Sequence, residues 1–188
     1  MTQRLDALVE EKIVSARFGN AEAPNITGYE ASGGYEAIRK ILGKTDPKDV
    51  TEIVKTSGLR GRGGAGFPCG LKWSFIPDIE GPKYLTVNGD EGEPGTFKDR
   101  ELMLRDPHQL IEGIIIACYA VGIEKAYIYI RGEFAAPGRA VDNALAEAYG
   151  RGYVGQNILG SGFSCDIYTH MGAGAYICGE ETGLKLMY

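Results

Sequence analysis

The stretch PHQLIEGIIIACYAVGIEKAYIYIR, residues 107–131, decides the architecture. From Pro107 to Gly122 it is apolar on most sides. It opens on a proline, which a first helical turn tolerates, and closes on a glycine, which ends helices. That segment reads as a buried helix. The run Lys125 to Arg131 is β-branched and aromatic and reads as a strand. Working outward, the alternation continues on both sides. Lys83 to Asn88 (KYLTVN) reads as an earlier strand, Pro137 to Tyr149 as an amphipathic helix, and Ser164 to His170 as a third strand. Alternating strands and helices predict a Rossmann-like, layered α/β core with a largely parallel sheet. Upstream, Leu5, Leu8, Val9, Ile13 and Val14 mark a helical stripe over residues 4–17. A loop carrying Pro24 and Gly28 precedes a short helix from Tyr35 to Leu42. Asp46 and Pro47 then open another helix, with Val50, Ile53 and Val54 as its expected buried face and Ser57-Gly58 as its end. The division that follows is an N-terminal helical extension over residues 1–60 and an α/β domain over 61–188.

Of the 188 residues, 44% are hydrophobic and 24% charged, an ordinary globular balance. The net charge is −5, and no basic stripe interleaved with aromatics is present, which argues against a nucleic-acid partner. The most apolar run, Leu110 to Val121, is broken by Glu112 and Gly113 and falls short of the roughly 20 residues a bilayer requires. The N-terminus has no apolar core of the kind a signal peptide needs. A cytoplasmic protein that meets a membrane only through partners is the expectation. Cys69, Cys118, Cys165 and Cys178 are too far apart for local zinc or iron–sulfur spacing and read as free thiols. Glycine is the outlier: 28 residues, about twice the usual share, gathered at 58–70, 89–95, 150–162 and 172–183.

Three of these clusters suggest one pocket. In GLRGRGGAGFP, residues 58–68, Gly61, Gly63 and Gly66 match the spacing of a dinucleotide-binding turn. A helix precedes them and Pro68 follows, which is the wrong context for that turn. What remains is a nest of unshielded backbone N–H groups suited to phosphate, flanked by Arg60, Arg62 and Lys72. Phe67, Trp73 and Phe75 stand close by, more ring surface than a plain surface loop requires. The second cluster, Asn88-Gly89-Asp90-Glu91-Gly92-Glu93-Pro94-Gly95, leaves the end of a strand, where α/β proteins hold ligands. Ionised carboxylates only accept hydrogen bonds, so Asp90, Glu91 and Glu93 suit ribose hydroxyls or the N–H groups of a flavin or nicotinamide. A divalent metal or a solvated turn are the alternatives. The third, GAGAYICGEET over residues 172–182, also follows a strand and sets Tyr176 and Gly179 beside Glu180 and Glu181. No nucleophile–base pair appears, and His108 and His170 have no partner at a telling spacing, so hydrolase chemistry has no support.

Four segments in order, RGRGGAGFP–GLKWSF, N–DEGEPGTFKDR, DPHQLIEGI and GAGAYICGEET, resemble the 51-kDa-type flavoprotein subunit of NADH:quinone oxidoreductase (respiratory complex I). They also resemble the diaphorase subunits of NAD-linked hydrogenases and formate dehydrogenases. The resemblance runs from about Asn25 to Thr182. It implies an NADH-oxidising oxidoreductase holding one FMN with NADH laid against it. By motif, Gly61, Arg62, Gly63, Gly64, Ala65 and Gly66 would approach FMN and the nucleotide phosphates. Lys72 would contact phosphate, and Phe67 and Phe75 would sandwich adenine. Asn88, Asp90 and Glu91 would hold FMN, and Glu93 would face the nicotinamide end. Tyr176, Gly179, Glu180 and Glu181 would complete the pocket. Hydride would pass from nicotinamide C4 to flavin N5 and electrons singly to iron–sulfur clusters, so no side chain need act as a catalytic acid or base.

The implied partners are NADH and other soluble-arm subunits, above all the 24-kDa-type 2Fe–2S subunit. The location would be cytoplasmic, peripheral to the inner membrane. Glu93 and Glu181 would repel a ribose 2′-phosphate, which favours NAD over NADP. The family departs from this chain at Cys69, where it carries threonine, at Gly89, where it carries alanine, and at Met171, where it carries a basic or polar residue. Beyond Thr182 the family continues through a ubiquitin-like domain to a helical domain whose C-x-x-C-x-x-C run holds a 4Fe–4S cluster. Those ligands are absent from these 188 residues, so a truncated subunit is expected, and an inactive nucleotide-binding remnant or a metal-binding acidic-loop protein are the rival readings.

Overall fold

The computed structural model describes residues 12–77, 81–180 and 184. Three strands form one parallel sheet in the order β1 (Tyr84–Gly89), β2 (Lys125–Ile130), β3 (Asp166–Met171). Each lies within a residue or two of the segment its β-branched and aromatic content predicts. Asn88, Tyr129 and His170 fall in one row across the sheet, so the three strands end level with one another and their loops emerge side by side.

Side-chain alternation sends Ala126, Ile128, Ile130 and Ile167 to one face, all at least 98% buried. They share a core with Ile111, Ile115 and Cys118 of α6 (Pro107–Val121) and with Val141, Ala144 and Leu145 of α7 (Ala135–Gly150). Fully burying an isoleucine is worth about 1.5–3 kcal/mol, so this face and its helices carry much of the stability. Thr169 on β3 donates to Asp142 on α7 at 2.6 Å, fixing the helix over the sheet. The other face carries tyrosines: Tyr127 stacks on Tyr168 at 5.4 Å and meets Tyr84 at 6.1 Å. Helix α6 ends where the sequence says it should. Gly122 takes the left-handed conformation (φ 68°), and Ile123 N–H returns to the Cys118 carbonyl.

Before the sheet come α1 (Ile26–Ala31), α2 (Glu36–Ile41), α3 (Pro47–Thr56) and α4 (Cys69–Trp73), and α5 (Lys98–Arg105) lies between β1 and α6. Asp46 caps α3 by accepting from Lys48 N–H at 2.8 Å, as the Asp-Pro pair predicts. At four places the structure differs from the sequence reading or adds to it. Ile53 is 59% exposed, because α3 turns Val50 and Thr51 inward and Thr51 bonds the Ala120 carbonyl of α6. Residues expected as loop around Gly28 form α1, and the charged segment after Phe97 forms α5. The helix expected over 4–17 falls mostly on residues 1–11, outside the described residues, while 14–19 form turns.

The N-terminal helices join the same core as the sheet through buried polar groups. Ile26, Tyr29, Tyr35, Ile38 and Leu42 belong to the cluster that holds the sheet face. Glu112 of α6 is buried and accepts from Tyr29 Oη (2.6 Å) and from the backbone N–H groups of Tyr35 (2.8 Å), Ala37 (3.1 Å) and Ile38 (3.3 Å). It thereby caps α2, whose own N-cap residue Tyr35 supplies no side-chain bond. Next to it His108 is fully buried, its Nε2 3.1 Å from a Glu147 carboxylate and its Nδ1 2.8 Å from Tyr35 Oη. A carboxylate can only accept, so Nε2–H donates to Glu147 and Nδ1 accepts from Tyr35. Burial pushes the His108 pKa below its ordinary 6.5, outweighing the pull of Glu147. The unfolded chain then takes up this proton first, so the neutral histidine's contribution is complete above about pH 6.5 and is lost as pH falls below it. Urea midpoints at pH 7.5, 6.5 and 5.5 should fall across that window in the wild type. His108→Asn should flatten the fall; an equal slope in the variant would discard this assignment.

Candidate nucleotide-binding site

The level strand ends place two loops together, the acidic loop after β1 and the glycine loop after β3. A third, the glycine-rich loop of residues 60–68, closes over them. That loop is pinned at its base: Gly61 N–H bonds the Phe67 carbonyl at 2.9 Å, Cys69 N–H bonds the Leu59 carbonyl at 2.8 Å, and Arg60 reaches the Gly66 carbonyl at 3.0 Å. Gly64 (φ 112°) and Gly66 (φ 62°) take conformations closed to most L-residues, and around Gly63 and Gly64 nothing lies within 4 Å of where a Cβ would sit. The crest is open backbone, the surface a phosphate group can approach.

A cavity of ≈ 960 Å³ lies between the three loops, at the upper end of the range for small-molecule sites. Ten expected residues line it: Arg62, Gly63 and Gly64 from the glycine-rich loop, Asn88, Asp90, Glu91 and Glu93 after β1, and Tyr176, Gly179 and Glu180 after β3. Gly92, Thr96, Lys98, Asp99 and Ile177 line it as well and were not singled out, although the TFKDR segment was part of the matched motif. Gly61, Ala65, Gly66, Phe67, Lys72 and Phe75 are not among the lining residues, and Glu181 lies outside the described residues. Phe67 and Phe75 do meet, with ring centroids 6.1 Å apart at 55°. Stacking a base between them would need faces about 7 Å apart, two van der Waals contacts of 3.5 Å, so the pair must open and turn parallel to admit a ring.

The two strand-end loops are tied to each other. Asn88 donates to the Gly179 carbonyl at 2.7 Å while its Oδ1 accepts from Asp90 N–H, and Tyr176 donates to Glu93 at 2.5 Å. A Cβ on Gly179 would lie 2.9 Å from the Asp90 carbonyl oxygen, so this contact is available only to glycine. Glu91 has a role the sequence does not disclose. Its side chain is 1% exposed and accepts from Asp99 N–H (2.9 Å) and Arg100 N–H (3.1 Å), capping α5. The lining is acidic, with Asp90, Glu91, Glu93, Asp99 and Glu180 against Arg62 and Lys98. Burial raises the pKa of Asp90, with Arg131 opposing and Glu133 reinforcing the shift. Burial likewise raises that of Asp99 against the pull of Lys98, and the hydrogen bond to Glu93 raises that of Tyr176.

Hydroxyl and N–H groups of a ligand would find acceptors at the floor of this cavity, and phosphates would find amides and Arg62 at its rim. The residues present therefore fit a flavin mononucleotide. Among the described residues no group of three His, Cys, Asp or Glu side chains is placed to hold a metal ion. All four cysteines are free thiols, Cys118 and Cys165 deep in the core. Among the described residues no helix is long and apolar enough to cross a membrane.

Comparison with known proteins places the chain in a family. Residues 54–186 match the model of the Nuo51 FMN-binding domain. The F 2 subunit of the NADH-quinone oxidoreductase of Rhizobium meliloti is 58% identical over 169 residues, 88% of this chain and 40% of that protein. The corresponding F subunit of Streptomyces coelicolor is 53% identical over 92% of this chain and 38% of its own length. That of Aquifex aeolicus is 55% identical over 85% and 37%. The chain thus spans about 40% of the length of these relatives. Among solved structures, NAD+-reducing NiFe-hydrogenase in its H2-reduced state is similar with a TM-score of 0.70 and 38% identity, over 85% of this chain and 27% of that one. The family-model match over most of the chain, the identity to these subunits and the cavity built from the matched motifs lead to one conclusion: the chain belongs to the Nuo51 FMN-binding domain family of NADH-quinone oxidoreductase F subunits.

Proposed function

We propose that the chain is the FMN- and NADH-binding part of the NADH-oxidising subunit of an NADH:quinone oxidoreductase. The observation that carries this reading is the convergence of Gly63 and Gly64 with Asp90, Glu93, Tyr176 and Gly179 on one cavity. FMN, when bound, supplies a hydride acceptor that can pass electrons on singly. The chain's own residues bind and orient. Amides at Gly63 and Gly64, with Arg62 and Lys72, meet phosphate oxygens. Asp90 and Glu93 accept from ribose hydroxyls and ring N–H groups. Phe67 and Phe75 part to take the adenine of NADH. Glu93 disfavours a 2′-phosphate, so NADH is preferred to NADPH.

In this reading residues 61–188 supply the pocket and residues 1–60 pack against it. The electron partner is a 24-kDa-type 2Fe–2S subunit within a soluble arm, and the assembly sits at the cytoplasmic face of the inner membrane. A diaphorase role in a hydrogenase is the second reading, favoured by the structural likeness to the NAD+-reducing enzyme. The higher identity to the F subunits ranks it below the first. The test is anaerobic addition of NADH to the flavin-loaded chain. The visible flavin band should bleach, and NADPH at equal concentration should bleach it at least tenfold more slowly. A flavin-loaded chain that NADH leaves yellow would end this reading.

A further inference from the structure

No expected ligand contact comes from the loop after β2, the middle strand, yet that loop touches both neighbours. Arg131 Nη1 donates to the Glu91 carbonyl at 2.9 Å, and its Nε to Glu133 at 3.0 Å. Its guanidinium lies 5.7 Å from the ring centroid of Phe134, which is 91% buried at the start of α7. On the other side Gly132 packs against the backbone of Gly172 and Gly174. We infer that Arg131 is a positioning residue for the nucleotide pocket, holding the Glu91 peptide so that Asp90 and Glu93 are presented to the bound flavin nucleotide. This rests on the proposed function and names a determinant of affinity within it.

Glu91 is gripped at both ends. Its carboxylate is held by the first N–H groups of α5 and its carbonyl by Arg131. Two anchors on one residue fix the path of the backbone, and Asp90 just before it and Glu93 two residues after it both line the cavity. With the α5 anchor alone, the peptide after Glu91 could rotate and carry Glu93 away from Tyr176. Arginine suits the task because its planar fork serves the carbonyl and Glu133 together, while stacking on Phe134 limits its rotamers. Lysine could reach the carbonyl but would give up the fork. The side chain is 32% exposed, so its loss should weigh on the loop and little on global stability.

The test compares the chain with Arg131→Gln and Arg131→Lys in three readouts: FMN dissociation constant by quenching of flavin fluorescence, hydrogen exchange of peptides spanning 89–96 without ligand, and thermal midpoint. Arg131→Gln should weaken FMN about tenfold, equivalent to about 1.4 kcal/mol. Exchange at 89–96 should speed up, and the midpoint should move by less than about 4 °C, the shift expected for 1 kcal/mol in a chain of this size. Arg131→Lys should recover most of the affinity. Unchanged affinity and exchange in Arg131→Gln would overturn the inference. So would a loss of affinity that tracks lowered stability and that lysine does not rescue. Should the wild type bind no FMN, the flavin reading fails by itself. The exchange comparison then decides the clamp, with faster exchange supporting it and equal exchange overturning it.

Discussion

Glu112→Ala should lower the unfolding free energy by about 3–5 kcal/mol, the range for removing one partner from a buried charged network. The carboxylate accepts four hydrogen bonds at 2.6–3.3 Å, three of them from backbone N–H groups with no other acceptor in their helix. Alanine would leave Tyr29 Oη and the N–H groups of Tyr35 and Ile38 buried without partners, each costing about 1–3 kcal/mol before relaxation. It would also release Tyr35, held at φ 59° where few non-glycine residues sit. Against a total stability of about 5–15 kcal/mol this is a large fraction. Glu112→Gln keeps one acceptor oxygen and should fall between. Urea titration at pH 7.5 measures both, and a cost under 1 kcal/mol for Glu112→Ala would show that this carboxylate does not hold the N-terminal helices to the core.

The second large effect belongs to Gly132. A Cβ there would stand 2.3 Å from the Gly172 carbonyl oxygen and 3.1 Å from Gly174 N, backbone atoms that cannot swing aside. Overpacking of this kind costs about 1–3 kcal/mol, and relief requires the loop after β3 to withdraw. That loop carries Tyr176 and Gly179 into the cavity. Gly132→Ala should therefore weaken FMN at least tenfold by flavin fluorescence. Gly113→Ala is the control. It lies on the exposed side of α6 with nothing within 4 Å of its Cβ position, and helix propensity predicts a gain of about 0.5–1 kcal/mol with no change in flavin affinity. Equal flavin binding in both variants would sever the link between loop spacing and the pocket.

What could be read in the sequence was local. Strands β1, β2 and β3 stand out because their β-branched and aromatic runs are bounded by glycine and proline, and α3 and α6 because Asp46-Pro47, Pro107 and Gly122 punctuate them. Helix α5 escaped because its segment, KDRELMLR, is mostly charged and its cap comes from Glu91, several residues upstream across a glycine turn. Ile53 was misplaced because periodicity gives a stripe and not its direction; the side of α3 that packs is set by Thr51 reaching α6. The pocket was legible because glycine and acid clusters at strand ends have a stated chemistry. The assignment of Glu91 to capping and the reach of Arg131 were hidden, because both depend on partners that only the folded chain brings near.

Three loops of this chain that build a flavin site should retain FMN without help from any other chain. The purified chain is mixed with excess FMN, desalted and scanned in the visible range. Flavin absorbance should co-elute with protein near one FMN per chain, with fluorescence quenched relative to free flavin. A colourless chain that also leaves the fluorescence of added FMN unchanged would contradict it.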